Sequence, residues 1–294
     1  MEITPHVHSI PAPASIFTGS SAPNVYLVLD GEEGALIDSG LGDEASLGAR
    51  LAYLEALPAL RLRYIILTHH HFDHTSGADR LRRATAARVV MHRGEERFLQ
   101  GWRSEIPQDV EVEQEQGLRQ EAAKASPDAL VEDGERLAVG DLTLEVIHTP
   151  GHTLGSICLY LPEERALFSG DTVLGEGPTV VSPPPYGDMA LYMQSLERLK
   201  GYEVSLLLPG HGPPLPEPGP VIQELIEHRL QREEEVLRRL GEGANTVPAL
   251  LASIYAEVDP RIVHLAQWQL EAHLDKLLKE GRVRQGAAGG YALV

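Results

Sequence analysis

Four times along this chain a short apolar run ends in a turn that presents a metal-competent side chain. Tyr64-Ile65-Ile66-Leu67 leads into Thr68-His69-His70-His71-Phe72-Asp73-His74, and Leu144-Glu145-Val146-Ile147 leads into His148-Thr149-Pro150-Gly151-His152. Ala166-Leu167-Phe168-Ser169 leads into Gly170-Asp171-Thr172, and Ser205-Leu206-Leu207-Leu208 into Pro209-Gly210-His211-Gly212. Runs of this length and composition read as buried strands bounded by turn residues. Strand ends at one edge of a sheet can converge although they lie far apart in sequence. Glycine gives the backbone the tight turn that aims each side chain.

The first motif reads H-x-H-x-D-H. Imidazole nitrogen and carboxylate oxygen are the ligands that zinc and similar divalent ions take. The inventory fits two ions: His69, His71 and His152 for the first, Asp73, His74 and His211 for the second, and Asp171, with its two oxygens, as a bridge. Three protein ligands plus a water make the open coordination of a catalytic site, whereas structural zinc is closed by four protein ligands. Paired ions hold an attacking and a leaving or carbonyl oxygen together.

HHHFDH, TPGHT, SGDT and PGHG, in that order, resemble the metallo-β-lactamase superfamily of binuclear hydrolases. Asn24-Val25-Tyr26-Leu27 and Leu36-Ile37-Asp38-Ser39-Gly40 look like that superfamily's first strands. The resemblance implies an αβ/βα four-layer sandwich over residues 1–220 and assigns the same seven residues to two metals and their bridge. An aspartate at 171, where true β-lactamases of the superfamily use cysteine, places the chain with the glyoxalase-II-like and nuclease-like branches. The tail is similar to the β-lactamase-like protein 2 group, which carries a winged helix after the metal fold. The matching stretches include Phe168–Gly175, Tyr192–Leu196, Glu227–Glu233, Ala272–Leu277 and Glu280–Val283. That resemblance implies a hydrolase, and one branch of the group cleaves single-stranded RNA.

From Pro220 the pattern changes. Ile222, Leu225, Ile226, Leu230, Leu237 and Leu240 keep helical spacing. Asn245 or Thr246 can cap a second helix through Tyr255, and a third runs from about Arg261 to Glu280. Arg282–Gln285 and Tyr291–Val294 form a hairpin around Gly289-Gly290. Residues 221–294 therefore read as a winged helix, a second domain after the metal fold at 1–220. A helix is expected over Ala45–Leu57. The polar stretch Arg93–Pro127, with Phe98 and Trp102, lies either over the metal mouth or on the surface as a helical pair. Pro183-Pro184-Pro185-Tyr186-Gly187 suits a substrate wall.

Charge bears on the partner. Residues 1–220 hold 16 Lys and Arg against 32 Asp and Glu, and residues 221–294 hold 9 against 11. Neither half has the basic footprint of a nucleic-acid binder. A small anionic substrate is expected, with RNA as the alternative and a homodimer as the candidate assembly. Met1–Ser20 lacks a basic region and a continuous apolar core, so no signal peptide is read, and no membrane span is seen. The lone Cys158 cannot form an internal disulfide, which points to a reducing, cytoplasmic compartment.

The expected chemistry follows. The cofactors are two divalent ions, zinc first, with manganese or iron also fitting the ligands. A metal-bridging hydroxide, available near neutral pH, attacks an ester or thioester, with Asp73 as the catalytic group that orients it and takes its proton. The alternative is a metal-dependent endoribonuclease. Asp38 reads as support for a ligand histidine and His70 as pointing away; His228 and Arg229 read as a surface pair, with a contact to the catalytic domain or substrate as the alternative that the family resemblance implies. Metal binding is expected to need nothing from the tail.

Overall fold

A computed structural model describes residues 1–11, 22–96, 113–286 and 289–294. Phe98 and Trp102 lie outside the described residues. The chain forms two compact units. The first comprises Met1–His148, Gly155–Gly177 and Glu203–Pro218, and the second Thr149–Leu154, Pro178–Tyr202 and Gly219–Val294.

In the first unit a seven-stranded mixed sheet runs in the order β1 (Glu2–Thr4), β2 (Val7–Ile10), β3 (Val25–Asp30), β4 (Glu33–Ile37), β5 (Arg61–Leu67), β6 (Arg88–His92) and β7 (Ala129–Val131). Strands β4 to β7 are parallel. A parallel strand is buried on both faces, so it reads as continuous hydrophobe, as the Tyr64–Leu67 end of β5 does. Alternate side chains then enter different cores. Ile66 joins the core that also holds Leu144, Ile157 and Phe168. Ile65 and Leu67 join Leu47 and Leu81, from the helices α1 (Glu44–Glu55) and α3 (Ala78–Thr85). Between those helices lies one short turn, α2 (Phe72–Thr75).

The second sheet has six strands: β8 (Arg136–Val139), β9 (Leu142–His148), β10 (Ile157–Leu161), β11 (Ala166–Gly170), β12 (Leu206–Pro209) and β13 (Leu215–Pro216), in the order β13-β12-β11-β10-β9-β8. Two mixed sheets sharing one core, with helices outside, make the expected αβ/βα sandwich. Helix α4 (Glu113–Ala122) follows the residues that are not described.

In the second unit, α5 (Met189–Leu199) begins at Asp188, whose carboxylate accepts from the amides of Ala190 and Leu191. The C-terminal part is α6 (Gly219–Gly241), α7 (Val247–Ile254), α8 (Val263–Lys279) and the hairpin β14 (Val283–Gln285) and β15 (Tyr291–Leu293). Thr246 caps α7 through the Ala249 amide, as its position before an apolar run predicts. Val236, Leu240, Leu250, Leu270, Leu274 and Leu277 close a core of their own. This is the winged helix read from the tail. The third helix starts at Val263, two residues later than its spacing suggests, because Pro260–Ile262 form a 3₁₀ turn. Among the described residues no helix is long and apolar enough to cross a membrane.

Candidate metal centre

Register sets where the ligands emerge. Strands β4 and β5 are parallel with Ile37 beside Ile66, so Asp38 leaves its strand next to Leu67 and Thr68. Strands β11 and β12 are parallel with Gly170 beside Pro209, so Asp171 and His211 leave the second sheet at one edge. The two sheets are tied at that edge. The Ile157 amide donates to the Thr68 carbonyl at 3.0 Å, and Asn24 Nδ2 and the Tyr26 hydroxyl both donate to the Pro209 carbonyl at 2.9 Å.

The turn after β5 and the first turn of α2 then supply four side chains in six residues. Asp73 and His74 are neighbours on α2, held by backbone bonds from His74 and Thr75 to the His71 carbonyl. The ligand atoms of Asp73, His74 and His211 lie within 4.8 Å of one another, as do those of His69, His71 and Asp171. Asp171 faces both groups. Its Oδ1 is 3.4 Å from His74 Nε2, and its Oδ2 is 3.7 Å from His211 Nε2 and 4.0 Å from His69 Nε2.

Hydrogen bonds away from the site decide which ring nitrogen faces it. His74 Nδ1 donates to Asp38 Oδ2 at 2.8 Å, which turns Nε2 inward. Asp38 also accepts from the Thr68 amide at 2.7 Å and the Thr68 hydroxyl at 2.9 Å. That hydroxyl, having donated its proton, accepts from His69 Nδ1 at 3.0 Å, so His69 also presents Nε2. One carboxylate thereby orients two histidines, an arrangement typical around metal ligands. Asp38 keeps its place in a left-handed backbone conformation, φ 61°, at a cost of about 1–2 kcal/mol for a residue other than glycine.

The donor set fits a cation. Two nitrogens on one tetrahedral zinc, each about 2.0–2.1 Å from it, stand about 3.3 Å apart. His74 Nε2 and His211 Nε2 are 3.2 Å apart, and His69 Nε2 and His71 Nδ1 are 3.0 Å apart. Charge agrees. Burial pulls the His74 pKa down, but Asp171, Asp73 and Asp38 outweigh it and push it up to about 10. Burial likewise opposes the charged form of His211, and Asp171 and Asp73 again raise it. Burial raises the Asp73 carboxyl, yet His74, His211 and His71 hold it well below the usual carboxylate range. The carboxylates thus draw positive charge onto the histidines, and a divalent ion competes with those protons for the same nitrogens.

His152 lies on the loop between β9 and β10. Within the second unit His152 Nδ1 donates to the Val180 carbonyl at 2.7 Å, which makes Nε2 the basic nitrogen of the ring.

The other singled-out residues separate clearly. His70 is buried and bonded through both its amide and Nδ1 to the buried Glu95, so it points away from the ligand groups as expected. Glu95 also accepts from the Gly155 amide at 2.6 Å. It joins the first motif to the start of β10, and nothing in the sequence around it gave a signal. Thr68 was missed as well, although its place directly before His69 was the available clue. His148 ends β9, its amide on Asp133 and its ring stacked on His92. Tyr192 is fully buried. Arg229 departs from the surface reading: it is 2% exposed, whereas His228 beside it is exposed. A helical charge pattern does not reveal which cation faces inward.

Comparison with known proteins identifies the family. The metallo-beta-lactamase superfamily domain matches residues 18–211, and a beta-lactamase-associated winged helix domain matches residues 246–290. The chain is 33% identical over 263 residues to a beta-lactamase-like protein 2 homolog of Caenorhabditis elegans, covering 88% of this chain and 80% of that one. It is 30% identical over 291 residues to an atrochrysone carboxyl ACP thioesterase of Paecilomyces divaricatus, covering 92% and 80%. A metallo-beta-lactamase family protein of Thermus thermophilus superposes with a TM-score of 0.81 over 100% of both chains, at 27% identity. The chain belongs to the metallo-β-lactamase superfamily, carries a beta-lactamase-associated winged helix domain, and is related to beta-lactamase-like protein 2 homologs.

Proposed function

We propose that this hydrolase holds two divalent ions and cleaves a thioester of a small anionic acyl group. The observation that carries the binuclear reading is Asp171, whose Oδ1 lies near His74 and whose Oδ2 lies near both His211 and His69, so that one carboxylate adjoins both ligand groups. His69, His71 and His152 would hold the first ion and Asp73, His74 and His211 the second, with Asp171 shared between the two groups. Zinc fits the nitrogen-rich set, with manganese or iron as alternatives. Ions bound there supply Lewis acidity, which ionises a water near neutral pH and polarises a carbonyl oxygen.

The protein's own groups do the rest. Asp38 fixes His74 directly and His69 through Thr68, so neither ring reorients during turnover. Asp73 Oδ2 sits 3.1 Å from His211 Nε2, and its side chain is 24% exposed, open to an incoming group. Ionised, it orients the attacking water and accepts its proton. The thiol leaves with no serine or cysteine nucleophile required. Cys158 is buried in β10, and a lone buried thiol fits a reducing compartment such as the cytoplasm.

Thioester is favoured over RNA on two grounds. The name of the thioesterase relative points to acyl-carrier chemistry. The chain's −18 net charge, with no basic half, opposes a long polyanion. Assay of zinc- and manganese-loaded protein against acyl-coenzyme A and acyl-pantetheine thioesters, beside labelled single-stranded RNA, tests this. Chelator-sensitive thioester turnover is expected. RNA cleavage without thioester turnover would replace the reading by the endoribonuclease.

A further inference from the structure

Two C-terminal helices bond to the segment that orients His152. Three consecutive backbone groups of the second unit, Thr179 to Val181, each bind a different side chain. The Thr179 carbonyl accepts from Arg229 Nη2 of α6 at 2.5 Å. The Val180 carbonyl accepts from His152 Nδ1 at 2.7 Å. The Val181 amide donates to Gln269 Oε1 of α8 at 2.9 Å. Thr179 and Val181 are buried, as are Arg229 and Gln269.

The residues flanking His152 are held from α5 and its cap. Ser195 Oγ of α5 donates to the Pro150 carbonyl at 2.8 Å, and the Asp188 amide donates to the Gly151 carbonyl at 2.9 Å. The Asp188 carboxylate, which caps α5, is bonded in turn to Lys279 Nζ at the end of α8, at 2.7 Å.

Burying a guanidinium is expensive unless its charge and donors are used. Arg229 stacks over the Tyr192 ring at 5.5 Å and spends a donor on a backbone carbonyl, while its Nε has no hydrogen-bond partner among the described residues. Core packing alone would place an apolar side chain there. A fixed donor aimed at one carbonyl instead holds a peptide plane in place. The next carbonyl along orients the His152 ring and selects its tautomer.

We propose that Arg229 and Gln269 are positioning residues for the metal centre. By pinning Thr179–Val181 they hold the Val180 carbonyl that aims His152 Nε2, and so set the affinity with which His152 binds its ion. This departs from the expectation that metal binding is independent of the tail, and it rests on the reading of His152 as a ligand.

The test uses the full chain and reads metal, not turnover. Wild type, His152→Ala, Arg229→Met, Gln269→Leu, Gln269→Glu and Leu230→Ala are compared by zinc competition against a chromophoric chelator and by visible absorption of the cobalt(II) form. Leu230 is exposed beside Arg229 and serves as the control. Arg229→Met and Gln269→Leu are expected to weaken one of two zinc sites by about 10- to 100-fold and to alter the cobalt spectrum. Gln269→Glu, which keeps an acceptor for the Val181 amide, restores both, and Leu230→Ala matches wild type. Should Arg229→Met fail to fold, Gln269→Leu against Gln269→Glu decides. Wild-type zinc affinity and cobalt spectrum in folded Gln269→Leu overturn the proposal, as does an equal loss at both sites. If His152→Ala itself leaves both sites unchanged, the ligand reading fails instead, and the proposal with it.

Discussion

Alanine in place of Asp73 is expected to lower hydrolytic turnover on the order of 1,000-fold, the range that loss of a positioned acid-base group produces, with the fold retained. Asp73 sits on the first turn of α2, at the edge of the core, and its side chain is partly exposed. Burial favours its neutral form, but His74, His211 and His71 outweigh that and keep the carboxyl well below the usual range. It is therefore ionised throughout the pH range where a hydrolase works, ready to bind a cation and accept a proton. Asparagine has the same shape but neither the charge nor the basicity. Asp73→Asn is expected to fall as far as Asp73→Ala, read by turnover of whichever thioester proves active, with near-ultraviolet circular dichroism as the check on folding. Near-wild-type turnover by Asp73→Asn would remove Asp73 from the chemistry.

Gly210→Ala should empty the site without touching a ligand. Gly210 lies between β12 and His211, its amide on the Gly170 carbonyl at 2.7 Å and its carbonyl accepting from the Asn24 amide at 2.7 Å. A methyl group there would stand 2.3 Å from Asp171 Oδ1 and 2.8 Å from His74 Cε1. The backbone is pinned at both ends, so the ligands must move. A 1 Å displacement of His74 or Asp171 breaks a coordination sphere whose bond lengths hold within about 0.2 Å. Metal content is expected to fall to one ion per chain or fewer, with a modest change in the melting temperature of the metal-free protein. Retention of both ions by Gly210→Ala would mean that Asp171 and His74 are not held as described.

The sequence marks the proposed ligands because their motifs follow strands, where local composition shows both the strand and the turn. His69, Asp171 and His211 needed only that local signal. Asp38 was half legible: its place at a strand end suggested support for a ligand, but its link to His69 through Thr68 depends on the register of β4 with β5. Glu95 gave no signal, because a glutamate in a short turn reads as solvated until tertiary packing buries it. Arg229 misled for the complementary reason. Its helix has charged neighbours on most faces, and the partner that draws it inward, the Thr179 carbonyl, lies in a loop with no periodic pattern. The helix ends of the tail shifted by about two residues, since a proline-led 3₁₀ turn before α8 leaves the apolar spacing unchanged.

Elemental analysis of the purified full chain, after reconstitution with zinc or manganese and removal of free metal, tests the central claim most directly. Seven ligands with Asp171 between two groups predict close to two ions per chain, falling to one or none in Asp171→Ala. No tightly bound metal in the reconstituted wild-type protein, or a single ion unaffected by Asp171→Ala, would contradict a binuclear centre.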